Sequence, residues 1–336
     1  MGADEFCDLS AVDLRRLYAA RQLSPIEVAE GLLERIEAVD ATLNAFVTVT
    51  HDQALAQAKA VEKLFDGTAD PPPLAGIPFT LKDLTATDGI RTTRGSLLYK
   101  DWIPDYNAPL AQRMLDAGGV LLGKTNTPEL GWKGDSTNRV AGSTHNPWQH
   151  GRSPGGSSGG AAASVAVGLG AMAQGTDGAG SIRIPSGFCG TFGHKPSWGL
   201  VPQYPASLVP LLSHAGPITR TVRDAALFMD VTVGPDRLDS FSIPGQGDYL
   251  AAVEGGIEGL RGAKRTMNLL DEHRETAATA LVLTTIVRDV PVEFSADDSK
   301  FGDFDREAVI KILMNYELQL IANRLPKMES APEIEA

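Results

Sequence analysis

The chain has 336 residues, enough for one large domain or two smaller ones. Hydrophobic residues make up 43% and charged residues 21%, the balance of a globular protein and neither a disordered nor a fibrous one. A formal net charge of −12 argues against nucleic acid or an anionic membrane as main partner, and no apolar run is long enough to span a bilayer.

The first residues, MGADEFCDLSAVDLRRLYAARQ, lack the apolar core of a secretory signal. The two cysteines, Cys7 and Cys189, make no disulfide framework, which points to a reduced, cytoplasmic setting. The six histidines are scattered, so no metal site is expected, and no cofactor is implied. Ser24-Pro25-Ile26-Glu27 combines an N-cap, a proline in the first turn and a capping-box glutamate. It predicts a helix whose buried face carries Ile26, Ala29, Leu33 and Ile36. Pro71-Pro72-Pro73 breaks the chain. LAGIPFTLKDL then reads as a short apolar strand ending at Lys82, and MLDAGGVLLGKTNTPE as a helix end, a buried strand Val120–Leu122 and a polar loop. The small-residue run from Ala161 to Gly170 predicts a closely packed helix, and AMAQGTD a buried strand. Strands alternating with helices imply an α/β sheet with functional loops at the strand ends. After Arg261 glycine and proline thin out. An acidic loop there leads into an amphipathic helix with Ile310, Leu313, Leu318 and Ile321 on its apolar side, and the last residues are expected to fray.

Two serine sites are framed by glycine: Ser157-Ser158 in GGSSGG and Ser181 in GTDGAGSIRIP. Glycine permits left-handed backbone and lets successive N–H groups converge on a negative charge. Gly178, Ala179 and Gly180, just before Ser181, are placed to form an oxyanion hole. By itself GGSSGG also fits a flexible linker. It is not a phosphate loop, because no lysine follows at the required spacing. A serine nucleophile needs a base, and no histidine lies in a comparable setting. Lys82, at the end of an apolar strand, is the candidate, since burial makes a lysine neutral and basic. The competing reading pairs Lys82 with Asp83 at the surface.

The segments GIPFTLKDL, GKTNTPELGW, THNPW, RSPGGSSGGAAASVAVGLGAMAQGTDGAGSIRIPSGFCGTFGHKPSWGLVP and GPITRTVRDAALFMDV resemble the amidase signature family, from about residue 8 to about residue 261. The resemblance implies a Ser–cis-Ser–Lys triad of Ser181, Ser157 and Lys82. The sequence separations agree with the family, 75 residues from Lys82 to Ser157 and 24 from Ser157 to Ser181. It implies a mixed sheet flanked by helices on both faces, with the N–H groups of Gly178, Ala179, Gly180 and Ser181 as the oxyanion hole. It places Asp177 and Arg183 in shaping the nucleophile loop, with Ser158 beside the bridging serine. Trp132 is a candidate for the substrate cleft, or equally a core or surface residue. Cys189 reads as a small buried residue. The expected domains are a truncated amidase signature domain over 1–261 and an unrelated tail over 262–336. The stretch from MNLLDEHRETAATALVL onward resembles a non-catalytic fragment of bacterial DNA polymerase I, standing where the family has a covering C-terminal part. The function implied is serine amidohydrolysis of a small-molecule carboxamide through an acyl-enzyme. The alternatives are the amidase component of a tRNA-dependent amidotransferase and an inactive fused protein. Self-association is left open as a partner mode.

Overall fold

The structure, a computed structural model, describes residues 6–66, 70–245, 247–255 and 306–315. The chain divides into two units, Met1–Met267 and Asn268–Ala336. In the second unit the described residues form the helix Arg306–Asn315, which covers the apolar positions Ile310 and Leu313. Leu318, Ile321 and the rest of the polymerase-like stretch lie outside the described residues.

In the first unit the predicted capping box forms. Ser24 Oγ accepts from Ile26 N at 3.1 Å and Glu27 N at 3.4 Å, and Glu27 Oε2 accepts from Ser24 N at 3.1 Å. The helix runs Pro25–Leu43 and stops where Asn44 turns left-handed, at φ 54°. Val28, Ala29, Leu32, Leu33 and Ile36 bury its inner face. Each large aliphatic side chain so buried contributes roughly 1.5–3 kcal/mol.

The strands are β1 (Phe46–Val49), β2 (Pro78–Lys82), β3 (Val120–Thr125), β4 (Thr137–Asn138), β5 (Gly142–Ser143), β6 (Met172–Asp177), β7 (Phe192–Gly193) and β8 (His214–Thr219). Six of them form one mixed sheet in the order β1-β3-β2-β6-β8-β7, and β4 with β5 forms a separate small ribbon. The central strands β3, β2 and β6 run parallel, and the outer pairings are antiparallel. Every residue of β2 and β3 is buried, which is why both read as nearly unbroken apolar runs. The strand expected over Val120–Leu122 continues to Thr125, because Lys124 and Thr125 find polar partners inside the fold. The helix expected over 161–170 is Gly159–Ala166 and ends early. Gly168 there is left-handed at φ 72° and packs its backbone against Cys7, where a Cβ would come within 2.6 Å.

One consequence of the topology sets the site. β2 and β6 are adjacent and parallel, with Leu81 level with Gln174. Their C-terminal ends therefore leave the sheet on the same edge. Lys82 closes one strand, and Thr176 and Asp177 close the other.

Candidate active site

The glycine-rich loop 155–158 lies against this edge. Its glycines are demanded by packing: a Cβ on Gly156 would come 2.1 Å from the Asp135 carbonyl oxygen. The Gly156–Ser157 peptide is cis. Ser158 then starts the small-residue helix Gly159–Ala166. Ser158 N donates to the Ser181 carbonyl at 3.2 Å, which ties the two serine loops together.

Lys82 is 0% exposed. Its Nζ lies 2.6 Å from Ser157 Oγ, 2.9 Å from Ser158 Oγ and 2.9 Å from Thr176 Oγ1. It makes no ion pair among the described residues, so the competing surface pairing with Asp83 does not occur. Asp83 is itself buried and accepts from the backbone and hydroxyl of Thr93. Burial pulls the Lys82 ammonium down to about 7, partly opposed by the negative charge of Asp177. A neutral amine is thus available near neutral pH.

Asp177 organises the second loop. Its carboxylate accepts from Gly180 N at 2.7 Å and Ile182 N at 3.2 Å, and takes a two-point contact from Arg183 at 2.9 and 3.0 Å. Burial would raise its pKa, but Arg183 and these N–H groups outweigh that and hold it at about 2. One sequence assignment changes as a result. Gly180 N is committed to Asp177, so it is not available to an oxyanion. The cause is local: a carboxylate three residues back is a strong acceptor, and the left-handed Gly180 (φ 111°) turns the chain over it. The N–H groups of Gly178, Ala179 and Ser181 have no acceptor within the described residues. Ser181 is partly exposed, and its hydroxyl is not hydrogen-bonded to that of Ser157.

The sequence profile of the amidase family matches residues 27–261. The chain belongs to the amidase signature family. It is 46% identical over 255 residues to an acylamidase of Rhodococcus erythropolis, covering 75% of this chain and 54% of the relative. It is 42% identical over 255 residues to a glutamyl-tRNA(Gln) amidotransferase subunit of Carboxydothermus hydrogenoformans, covering 75% and 53%. Among solved structures it resembles a bacterial aryl acylamidase of the amidase signature enzymes, at TM-score 0.70 and 39% identity over 74% of this chain and 52% of that one. The chain spans about half the length of the curated relatives it matches.

The remaining named residues of this amidase signature chain can also be located. Trp132 is 83% exposed and does not line the adjoining cleft; Leu130, two residues earlier, does. Leu130 and Gly131 are both left-handed, at φ 52° and 73°, and the turn they make separates the two side chains. Cys189 is buried as expected, and burial pushes its thiol up to about 12, which leaves it unreactive. Thr176, the third partner of Lys82, was not anticipated, although its place at the end of the AMAQGTD strand was a usable signal. The cleft itself has a volume of about 210 Å³ and reaches Thr176 from the outside. Its walls come from segments far apart in sequence, so no local motif announces it. Among the described residues no helix is long and apolar enough to cross a membrane.

Proposed function

We propose that the chain is a serine amidohydrolase in which Ser181 attacks a carboxamide carbon. The observation that carries this reading is a fully buried lysine, without an ion pair among the described residues, 2.6 Å from the hydroxyl of a serine. The hydrogen bonds around Nζ support a direction for its lone pair. Ser158 Oγ donates to the Thr176 carbonyl at 3.3 Å, so toward the amine it can only accept. A neutral amine has two N–H groups and one lone pair. With the N–H groups directed to Ser158 and Thr176, the lone pair faces Ser157.

Ser157 then passes its proton to Lys82 as it takes the Ser181 proton, and the Ser181 oxygen bonds to the carbonyl carbon. The N–H groups of Gly178, Ala179 and Ser181 stabilise the oxyanion; losing one such donor typically costs about 100- to 1,000-fold in rate. The relay then runs backward. Lys82 returns the proton through Ser157 to the departing nitrogen, the C–N bond breaks, and an acyl-Ser181 remains. Water, deprotonated by the same relay, releases the acid. Asp177 and Arg183 act through the loop that carries Ser181.

The deciding experiment is covalent labelling by a fluorophosphonate, with an aryl amide turned over in parallel. Wild-type labelling that disappears in Ser181→Ala supports the assignment. Equal labelling of the two overturns it. Similarity to an amidotransferase component favours one second reading, glutamine amide hydrolysis within a complex. Activity that appears only with glutamine and added partner proteins would select it.

A further inference from the structure

Arg94 lies in the wall of the cleft. It is the one charged residue among those lining that cleft. No carboxylate of the described residues lies within ion-pair distance of it, and its guanidinium makes no hydrogen bond among them; its Nε is buried without a partner. Compare Arg113, which donates to four backbone carbonyls and pairs with Asp236. Arg94 packs on two aromatic rings. The Tyr99 ring centre lies 5.0 Å and the Trp102 ring centre 4.5 Å from its central carbon. Such ring contacts position a guanidinium without occupying its N–H groups with an acceptor. Those groups form a fork that matches a carboxylate.

The backbone is arranged to place it there. Arg94 adopts φ 52°, a left-handed conformation uncommon for a non-glycine residue. Its N donates to the Asp83 carbonyl at 2.9 Å, next to Lys82 in the chain. Its carbonyl accepts from Leu130 N at 2.8 Å, and Leu130 is left-handed too. Two left-handed residues joined by one hydrogen bond thus form part of the same cleft wall. Leu84, Leu110, Leu130 and Tyr204 give the cleft an apolar side, and its polar lining, with Thr85, Gln174, Thr176 and Gln203 among it, carries no other charge. In such a setting an unpaired cation selects an anion.

We propose that Arg94 is a specificity-determining residue that binds a carboxylate on the amide substrate, resting on the hydrolase reading above. The chain therefore prefers amides that carry a carboxylate on an aliphatic or aromatic body over neutral amides of the same shape.

Two substrate pairs test this on the full chain. Glutaryl-p-nitroanilide against pentanoyl-p-nitroanilide tests a carboxylate on the acyl side, and 4-acetamidobenzoate against acetanilide tests the amine side. In one pair the wild type should favour the charged amide by about 100-fold in kcat/KM, mostly through KM. Arg94→Gln should remove that preference while leaving the neutral amide within about threefold. Arg94→Lys, which keeps the charge and loses the fork, should retain about a tenth of it. No preference in either pair, or an equal loss for both members in Arg94→Gln, overturns the proposal. Calorimetric titration with glutarate and with benzoate needs no turnover. Should neither anilide nor acetamide be cleaved, fluorophosphonate labelling of Ser181 decides the hydrolase reading and the titration alone decides Arg94. Binding that is lost in Arg94→Gln upholds its role, and no binding by the wild type ends it.

Discussion

Two lysines lie at nearly the same level of the sheet and look alike by every bulk measure. Lys82 ends β2 and Lys124 sits near the end of β3, and both are 0% exposed. Burial pulls both ammonium groups down to about 7. The register separates them. Lys82 is level with Thr125, and Leu81 with Lys124, so the two side chains leave opposite faces of the sheet. On one face Lys82 meets three hydroxyls, two of them on the glycine-framed pair Ser157-Ser158. On the other, Lys124 donates to the Thr85 carbonyl and to the hydroxyls of Thr87 and Thr92, beside the buried Asp83. A carbonyl cannot hand a proton on, and threonines sealed behind the sheet have nothing to hand it to. A depressed lysine pKa therefore does not identify a base; the chemistry of what the amine touches does.

Substitution at each lysine gives the sharpest contrast. Lys82→Ala should cost about 10⁴-fold in amide hydrolysis, and Lys82→Arg should not recover it, because arginine stays protonated. Lys124→Met should leave the rate per folded molecule within about tenfold. Steady-state rates per folded molecule, with the folded fraction measured by circular dichroism, check this. Comparable losses at both lysines would dissolve the distinction.

The proton relay is probed one step further out. Ser157→Ala should lower amide turnover by about 10³-fold and a matched ester by less, since an amine needs the returned proton and an alkoxide needs it less. Equal losses would place Ser157 outside the relay.

For Lys124 the large effect is on stability. Lys124→Met removes three hydrogen bonds, but the Thr87 and Thr92 hydroxyls keep their bonds to the Thr85 and Ile90 carbonyls, so no polar group is stranded. Urea unfolding should show the substitution in its pH dependence. The pH dependence carries a sign. The folded state releases the Lys124 proton near 7, while the unfolded chain keeps it to about 10.4. Between these values the unfolded state binds more protons, so stability rises with pH, and Lys124→Met should reduce that slope by about 1.4 kcal/mol per pH unit. An unchanged slope would mean that Lys124 is charged in the fold.

The smallest expected effect is at Asp177. Asp177→Asn removes the charge that partly restores the Lys82 pKa. The alkaline rise in kcat/KM should move to lower pH, with about a tenfold loss of rate from the loosened loop. A shift to higher pH would contradict the assigned electrostatics.

The same contrast shows what sequence could reveal. The capping box at Ser24, the buried strand ending at Lys82 and the run ending at Asp177 were legible, because each depends on neighbours within a few residues. The contact between Lys82 and Ser157 was reached only through family resemblance, since it joins positions 75 residues apart. Thr176 as a partner, Lys124 as a buried twin and the diversion of Gly180 to Asp177 were not legible. Each depends on register or on competition between acceptors, and neither leaves a local pattern. Trp132 was left open between cleft, core and surface for a related reason: two left-handed residues, Leu130 and Gly131, turn the chain just before it.

The close approach of Gly156 to the Asp135 carbonyl bears on how such a protein can diversify. No side chain fits there, so random variation of this loop yields almost no tolerated sequences. Leu84, Arg94, Leu130 and Tyr204 line the cleft instead, and the left-handed backbone at Arg94 and Leu130 disfavours chiefly β-branched replacements. New substrate ranges are then accessible by changing the cleft while the reactive loop stays fixed. A combinatorial library confined to those four positions should retain folded, labelled protein in most members, whereas one spread over residues 155–160 should retain it in very few.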